Sequence, residues 1–204
     1  MGTAGTGYFW LRRLHSLSGI LLSVGYIAFF LIPCSAALGG ASSFNLVAAI
    51  GEKVPLLSAI KMVFVVAPLM FHAAVGLSVI YSSQFNVIAF SSYRNWMYAL
   101  QRLTGILVIV PIIHYIYTTE LVFAFTGRHA EFAYMQKLLA PSWVKAIYGA
   151  GVACAAFHIG NGISFALTRW GITASRRAQD AAAMAMWVVT IILAGWGARV
   201  ILAF

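Results

Sequence analysis

The chain has 204 residues, of which 62% are hydrophobic and only 8% charged, with a mean hydropathy of +0.92. That balance excludes a soluble globular domain and describes an integral membrane protein. Lys and Arg number 13 against 4 Asp and Glu, a net charge of +9, but the basic residues gather at the ends of apolar runs, which points to membrane orientation rather than to a nucleic-acid partner.

Five apolar stretches read as spanning helices: Ser16 to Leu38, Ala59 to Tyr81, Met97 to Thr119, Val144 to Thr168 and Ala183 to Leu202. Each is near the ~20 residues that cross a bilayer. The first begins with the basic run LRRLH, like a secretory leader, but it exceeds the usual apolar core of about 7–15 residues and four more spans follow. It is read as a retained helix. The longest connections are Gly39 to Ser58 and Glu120 to Trp143, where GEKVP and APSW carry turn or helix-start signals and Pro141 suits the first turn of the fourth span. No linker or internal repeat is evident, so the expected architecture is all-α, one domain over residues 1–204, a five-helix transmembrane bundle.

With five spans, one side carries Arg12, Arg13, Arg94, Arg102, Arg169, Arg176 and Arg177, and the other Lys53, Lys61, Arg128, Lys137 and Lys145, with Arg199 inside the last span. The excess predicts a cytoplasmic N-terminus and an outer C-terminus in the cytoplasmic membrane. Cys34 and Cys154 fall in different apolar spans and read as small buried hydrophobes, without a disulfide or zinc motif.

His72 and His158 lie deep in the second and fourth spans, where an imidazole is costly unless it is bound to something. His72 is 13 residues from the outer end at Ala59 and His158 is 14 from Val144, so at ~1.5 Å per residue the two rings share one depth. Depth-matched imidazoles on two spans suit the two axial positions of one haem. An interhelical hydrogen bond or the wall of a polar cavity is the other reading of each histidine. Gly76, Gly160 and Gly162 sit nearby and serve either close approach to a porphyrin or plain helix packing. Pro68 frees a carbonyl one turn before His72 and predicts a kink.

His114, in the third span, lies nearer the outer face and reads as half of a second site. The matching depth of the first span holds Phe29 and Phe30, neither able to ligate iron, and Cys34 lies a turn further on, off the required spacing. Near the cytoplasmic interface His15 with Ser16, Trp96 with Arg102, and Arg169 converge as candidate partners for the propionates of an upright haem, Arg169 about three turns inward of His158. Interfacial arginines and tryptophans also occur without any cofactor.

Three segments, FWLRRLHSLSG, SSYRNWMYALQRLTGI and AAFHIGNGISFALTRWGIT, resemble in order and spacing the membrane-anchor cytochrome b of succinate:quinone oxidoreductases in its single-subunit, five-helix, Bacillus-like form. The resemblance covers essentially the whole chain. It implies two stacked b haems held by four histidines: His72 and His158 match the inner pair, His114 one outer ligand, and Phe30 stands where the fourth histidine is expected. The chain is therefore expected to bind one haem b firmly, with the outer site empty, five-coordinate through His114, or filled by lipid or quinone. It further implies roles at the propionates for Ser16, Trp96 and Arg169, an FAD-containing flavoprotein subunit and an iron-sulfur subunit as partners, and (mena)quinone as electron acceptor. The candidate quinone residues are His15, Ser16, Arg13, Trp96 and Arg102. No flavin, cluster or catalytic carboxylate motif occurs in the chain, so succinate chemistry belongs to the partners. An anchor of a hydrogenase or formate dehydrogenase, a fumarate reductase working in reverse, and a small transporter are the alternatives.

Overall fold

The computed structural model describes residues 3–121, 125–126 and 130–204. Within them the chain is helical, without strands. Five helical segments are long and apolar enough to cross a membrane: Gly7–Glu52, Ala59–Tyr81, Tyr93–Leu121, Ser142–Arg169 and Arg176–Leu202. This is the all-α, five-span bundle expected from the sequence.

The first segment contains α1 (Thr3–Tyr26) and, past a 3₁₀ turn, α2 (Gly40–Glu52). Gly40 has φ +82°, a conformation that favours glycine, and marks the break between them. The second span is α3 (Leu57–Lys61) running into α4 (Ala67–Tyr81); the third is α5 (Tyr93–Leu107) and α6 (Ile109–Tyr115). A short α7 (Phe132–Leu139) precedes α8 (Ser142–Arg169), and α9 (Arg176–Leu202) closes the bundle.

The ends follow ordinary capping chemistry. Ser92 and Ser175 accept hydrogen bonds from the amides of Asn95 and Ala178 and so start α5 and α9. At the end of α8, Gly171 has φ +76°, its amide bonding Thr168 O and that of Ile172 bonding Leu167 O, which satisfies carbonyls left over by the helix. Pro141 is the residue before α8 rather than inside its first turn, in extended geometry.

The prolines are absorbed by locally wider turns. Pro33 follows a π turn, Ile27–Leu31, and Pro68 follows another, Met62–Val66, closed by bonds from Ile32 N–H to Ile27 O and from Ala67 N–H to Met62 O. Pro68 has no amide to offer Phe64, and the Phe64 carbonyl lies against Gly25 of α1, 3.3 Å from where a Cβ there would sit. Pro111 packs its ring where Gly151 of α8 leaves room.

α8 is the central helix, packed against α9, α5 and α1, while α1 also packs on α4. Contact between α8 and α9 is close because glycines stand at the crossings: Gly160 faces Thr190 and Met186 O, and Gly197 faces Val152. Both long connections, expected as loops, contain helices. α2 and α7 cover the end of the bundle away from the start of α1, joined by a bond from Phe132 N–H to Asn45 Oδ1 and by a cluster of Phe44, Phe132 and Phe204. Phe44, Met135 and Leu139 are buried there, so apolar side chains that looked like loop residues are the lid of the core.

The α8–α9 crossing is testable. Gly160→Leu should destabilise the bundle by about 1–3 kcal/mol through overpacking, read as earlier unfolding in detergent. Gly149→Leu on the same helix, with nothing within 4 Å of its Cβ position, should leave unfolding unchanged.

Candidate functional site

A mostly apolar cavity of about 880 Å³ runs between the helices from Arg12, His15 and Arg169 at one end to Cys34, Lys61 and Glu120 at the other. His72 and His158 project into it from α4 and α8. Their ring centroids are 6.1 Å apart and their planes are at 85°.

Each imidazole is fixed in the same way. His72 Nδ1 is 3.0 Å from the carbonyl oxygen of His15 and 3.2 Å from Ser18 Oγ. His158 Nδ1 is 3.0 Å from the carbonyl oxygen of Gln101 and 3.4 Å from Thr104 Oγ1. A carbonyl only accepts, so Nδ1 is the protonated nitrogen in both rings and Nε2 keeps its lone pair. Among the described residues neither Nε2 has a hydrogen-bond partner. Both rings lie against a glycine: a Cβ on Gly19 would be 2.7 Å from His72 Cε1, and one on Gly105 would be 2.8 Å from His158 Cε1.

These paired contacts expose an internal repeat that hydropathy alone does not show. His158 follows His72 by 86 residues, and the same offset relates Gly105 to Gly19 and Thr104 to Ser18. LHSLSGIL (14–21) is repeated as LQRLTGIL (100–107), and FH with a glycine four residues on occurs at 71–76 and 157–162. The signal was present as an L-x-x-L-[S/T]-G pattern twice, each followed by an FH-x-x-x-G span. At the inner corners the offset holds again: Trp170 Nε1 donates to Ser16 Oγ at 3.0 Å, and Arg102, 86 residues after Ser16, donates to the carbonyl of Gln84, 86 residues before Trp170, at 3.2 Å.

The neighbouring glycines divide by role. Gly76 and Gly162 line the cavity, facing His15 and Gln101, whereas Gly160 points away and serves the α8–α9 contact. Gln101 donates to the carbonyl of His158 at 3.0 Å and accepts from Asn161 at 2.7 Å, which ties α5 to α8 beside the ring.

Of the inner-end candidates, the structure brings His15, Ser16, Arg102 and Arg169 to the cavity wall. The His15 ring stacks on His72, centroids 4.0 Å apart and planes at 16°, and its Nδ1 is buried without a partner. Arg169 bonds the carbonyl of Arg12 at 3.3 Å. Arg102 is only 7% exposed, lies 3.8 Å over the Tyr98 ring, and has an unpartnered Nε. Arg13 is held elsewhere, its guanidinium boxed by Phe9, Trp10 and Trp170, in a smaller side cavity of about 550 Å³. Trp96 is exposed, bonds Ser91 Oγ, and does not line the cavity.

The outer half is built differently. His114 is outside the cavity lining, with Nδ1 2.9 Å from Tyr148 OH. Phe30 lines the cavity and packs edge-on against Tyr115 at 5.4 Å. Lys61 and Glu120 form an ion pair of 3.1 Å at the outer end.

The residues of the inner half fit an iron porphyrin. His72 and His158, from two different spans, line one cavity with their ring centroids 6.1 Å apart. Lone pairs on Nε2, rings held at Nδ1, and an arginine-bearing inner end are the donor set such a group requires. The outer half does not fit a second bis-imidazole haem: among the described residues its lining offers no imidazole opposite His114, and the residue 86 before His114 is Ala28.

Residues 81–196 match the family described as succinate dehydrogenase/fumarate reductase transmembrane subunit. Over 202 residues, 98% of this chain and 99% of the relative, the sequence is 31% identical to the succinate dehydrogenase cytochrome b558 subunit of Bacillus subtilis (strain 168). No solved structure matches the chain.

The tautomer assignment has a direct readout. Histidine-selective isotope labelling and solid-state NMR should find the proton on Nδ1 in both His72 and His158. Gly19→Ala should disturb the His72 resonances more than those of His158, and Gly105→Ala the reverse; the opposite ranking would contradict the pairing of each ring with its glycine.

Proposed function

Because the chain belongs to the succinate dehydrogenase/fumarate reductase transmembrane subunit family, we propose that it anchors the catalytic subunits to the membrane, holds one haem b between His72 and His158, and delivers electrons to a quinone. The observation that carries this reading is the pair of imidazoles 6.1 Å apart, each bonded through Nδ1 to a carbonyl of the neighbouring helix, with both Nε2 atoms bare in one cavity. It favours a haem anchor over a transporter, and the family match favours succinate dehydrogenase over a hydrogenase or formate dehydrogenase.

When bound, the haem supplies a one-electron relay. The protein's part is orientation and exclusion of water. The bonds from His72 to His15 O and from His158 to Gln101 O fix both rings and raise their basicity as ligands. Arg169 and Ser16 stand at the inner end of the cavity, where the propionates emerge in this reading, and Trp96, exposed and turned to Ser91, is a weaker propionate partner than the resemblance implies. The outer half of the cavity, closed by Phe30, Tyr115 and the Lys61–Glu120 pair, holds no second haem.

The partners in this reading are an FAD-containing flavoprotein subunit and an iron-sulfur subunit, docked at the arginine-rich end, which faces the cytoplasm together with the N-terminus. Electrons arrive one at a time from the iron-sulfur side. Tunnelling falls steeply with distance, and with one haem placed toward the inner side the quinone site belongs at the same mouth, beside His15, Ser16 and Arg102, with Arg13 and Trp96 on its rim. Menaquinone is the proposed acceptor.

Two measurements test this. A pyridine haemochrome assay on the purified complex should give one haem b per anchor; His72→Ala and His158→Ala should each abolish the low-spin spectrum while His114→Ala retains it, and two haems per anchor would overturn the reading. Separately, Ser16→Ala and Arg102→Gln should lower quinone reduction at least tenfold while succinate oxidation by an artificial dye continues; unchanged quinone reduction in both would move the quinone site elsewhere.

A further inference from the structure

Ser18 and Thr104 sit at equivalent positions of the two halves, each one residue before the glycine on which an imidazole rests. Their hydroxyls are not needed to cap a helix. In a membrane span a serine or threonine commonly returns its proton to a carbonyl of the preceding turn, and both do: Ser18 Oγ donates to His15 O at 2.8 Å, and Thr104 Oγ1 donates to Leu100 O at 2.8 Å. With the hydroxyl proton spent in that way, a lone pair of each oxygen is left facing the imidazole Nδ1–H, at 3.2 Å for Ser18 and 3.4 Å for Thr104.

We infer that Ser18 and Thr104 are positioning residues that set the redox potential of the haem by serving as second acceptors for the Nδ1–H groups of its two axial histidines. The inference rests on the haem reading above. Each Nδ1–H already has a carbonyl at 3.0 Å. A second oxygen draws the proton further from the ring, which makes the imidazole more basic and a stronger donor through Nε2. A stronger donor favours ferric over ferrous iron, so the hydroxyls hold the potential down.

The two halves are not equal. Ser18 is closer to its ring, and because its own hydroxyl donates to His15 O, its oxygen is a better acceptor for the Nδ1–H of His72. Thr104 is farther away and directs its proton mainly to Leu100 O, with Gln101 O at 3.3 Å. Ser18 is therefore the larger contributor.

The test is redox potentiometry of the haem in the purified complex, followed by visible spectra, for Ser18→Ala, Thr104→Val and Ser18→Thr. Each variant should keep the bis-imidazole low-spin spectrum of the parent. Ser18→Ala should raise the midpoint potential, Thr104→Val should raise it less, and Ser18→Thr, which keeps a hydroxyl at that position, should leave the parent value unchanged. An unchanged or lowered potential in Ser18→Ala would overturn the inference, as would loss of haem from that variant, since a tuning group leaves the iron–nitrogen bonds in place. An unaltered protein with no haem spectrum would instead refute the haem reading itself, before any variant is compared.

Discussion

Everything at the centre of this bundle depends on one contact made twice: an imidazole laid on a glycine so that its Nδ1–H reaches the carbonyl one turn earlier on that glycine's helix. In a helix the carbonyl of residue i already accepts the amide of residue i+4, and its remaining lone pair is shielded by the i+4 side chain. Gly19 follows His15 by four residues and Gly105 follows Gln101 by four. Removing the side chain at that position uncovers the lone pair and makes room for the ring in the same step. Water is not available at that depth to satisfy an orphaned nitrogen, so a ring without this bond would cost several kcal/mol.

The contact dictates the surrounding packing. α1 must approach α4 closely, and α5 must approach α8, while the space between the two pairs stays open. The π turns ahead of Pro33 and Pro68 keep those spans helical through the prolines. α9 takes no part in gripping the imidazoles; it braces α8 through Gly160 and Gly197 from outside. The division of labour explains why glycines two residues apart, Gly160 and Gly162, face a neighbouring helix and the cavity respectively.

The spans and the imidazole depth were legible in the sequence because both are nearly additive properties: hydropathy sums along a helix, and height is residue count times rise. Which glycine serves which neighbour was not legible, since it depends on the crossing of two helices. The pair Ser18–Gly19 and Thr104–Gly105 acquires meaning only once His72 and His158 are seen resting there, and then the 86-residue offset follows at once. Trp96 was grouped with Arg102 on proximity in sequence, yet the two lie on different faces of α5: one turned to Ser91, the other to the cavity. The helices α2 and α7 are not legible from span-length hydropathy because, at 13 and 8 residues, both are shorter than a span.

The repeat also shows where the halves have parted. The inner corners keep the same contacts with different chemistry, serine and tryptophan in one, arginine and a carbonyl in the other. A guanidinium that is 7% exposed and faces Tyr98 is an expensive replacement for a serine hydroxyl. Among the described residues Arg102 has the Gln84 carbonyl and the Tyr98 and Phe85 rings but no carboxylate, and its Nε has no partner. In the proposed reading an acceptor oxygen from a haem propionate or a quinone carbonyl meets this guanidinium. The other end differs: its charges, Lys61 and Glu120, pair with each other, Phe30 packs on Tyr115, and His114 lies outside the cavity lining, bonded through Nδ1 to Tyr148. In the proposed reading the ligand therefore belongs at the arginine-bearing end of the cavity, where Arg102 Nε and His15 Nδ1 are buried without partners among the described residues.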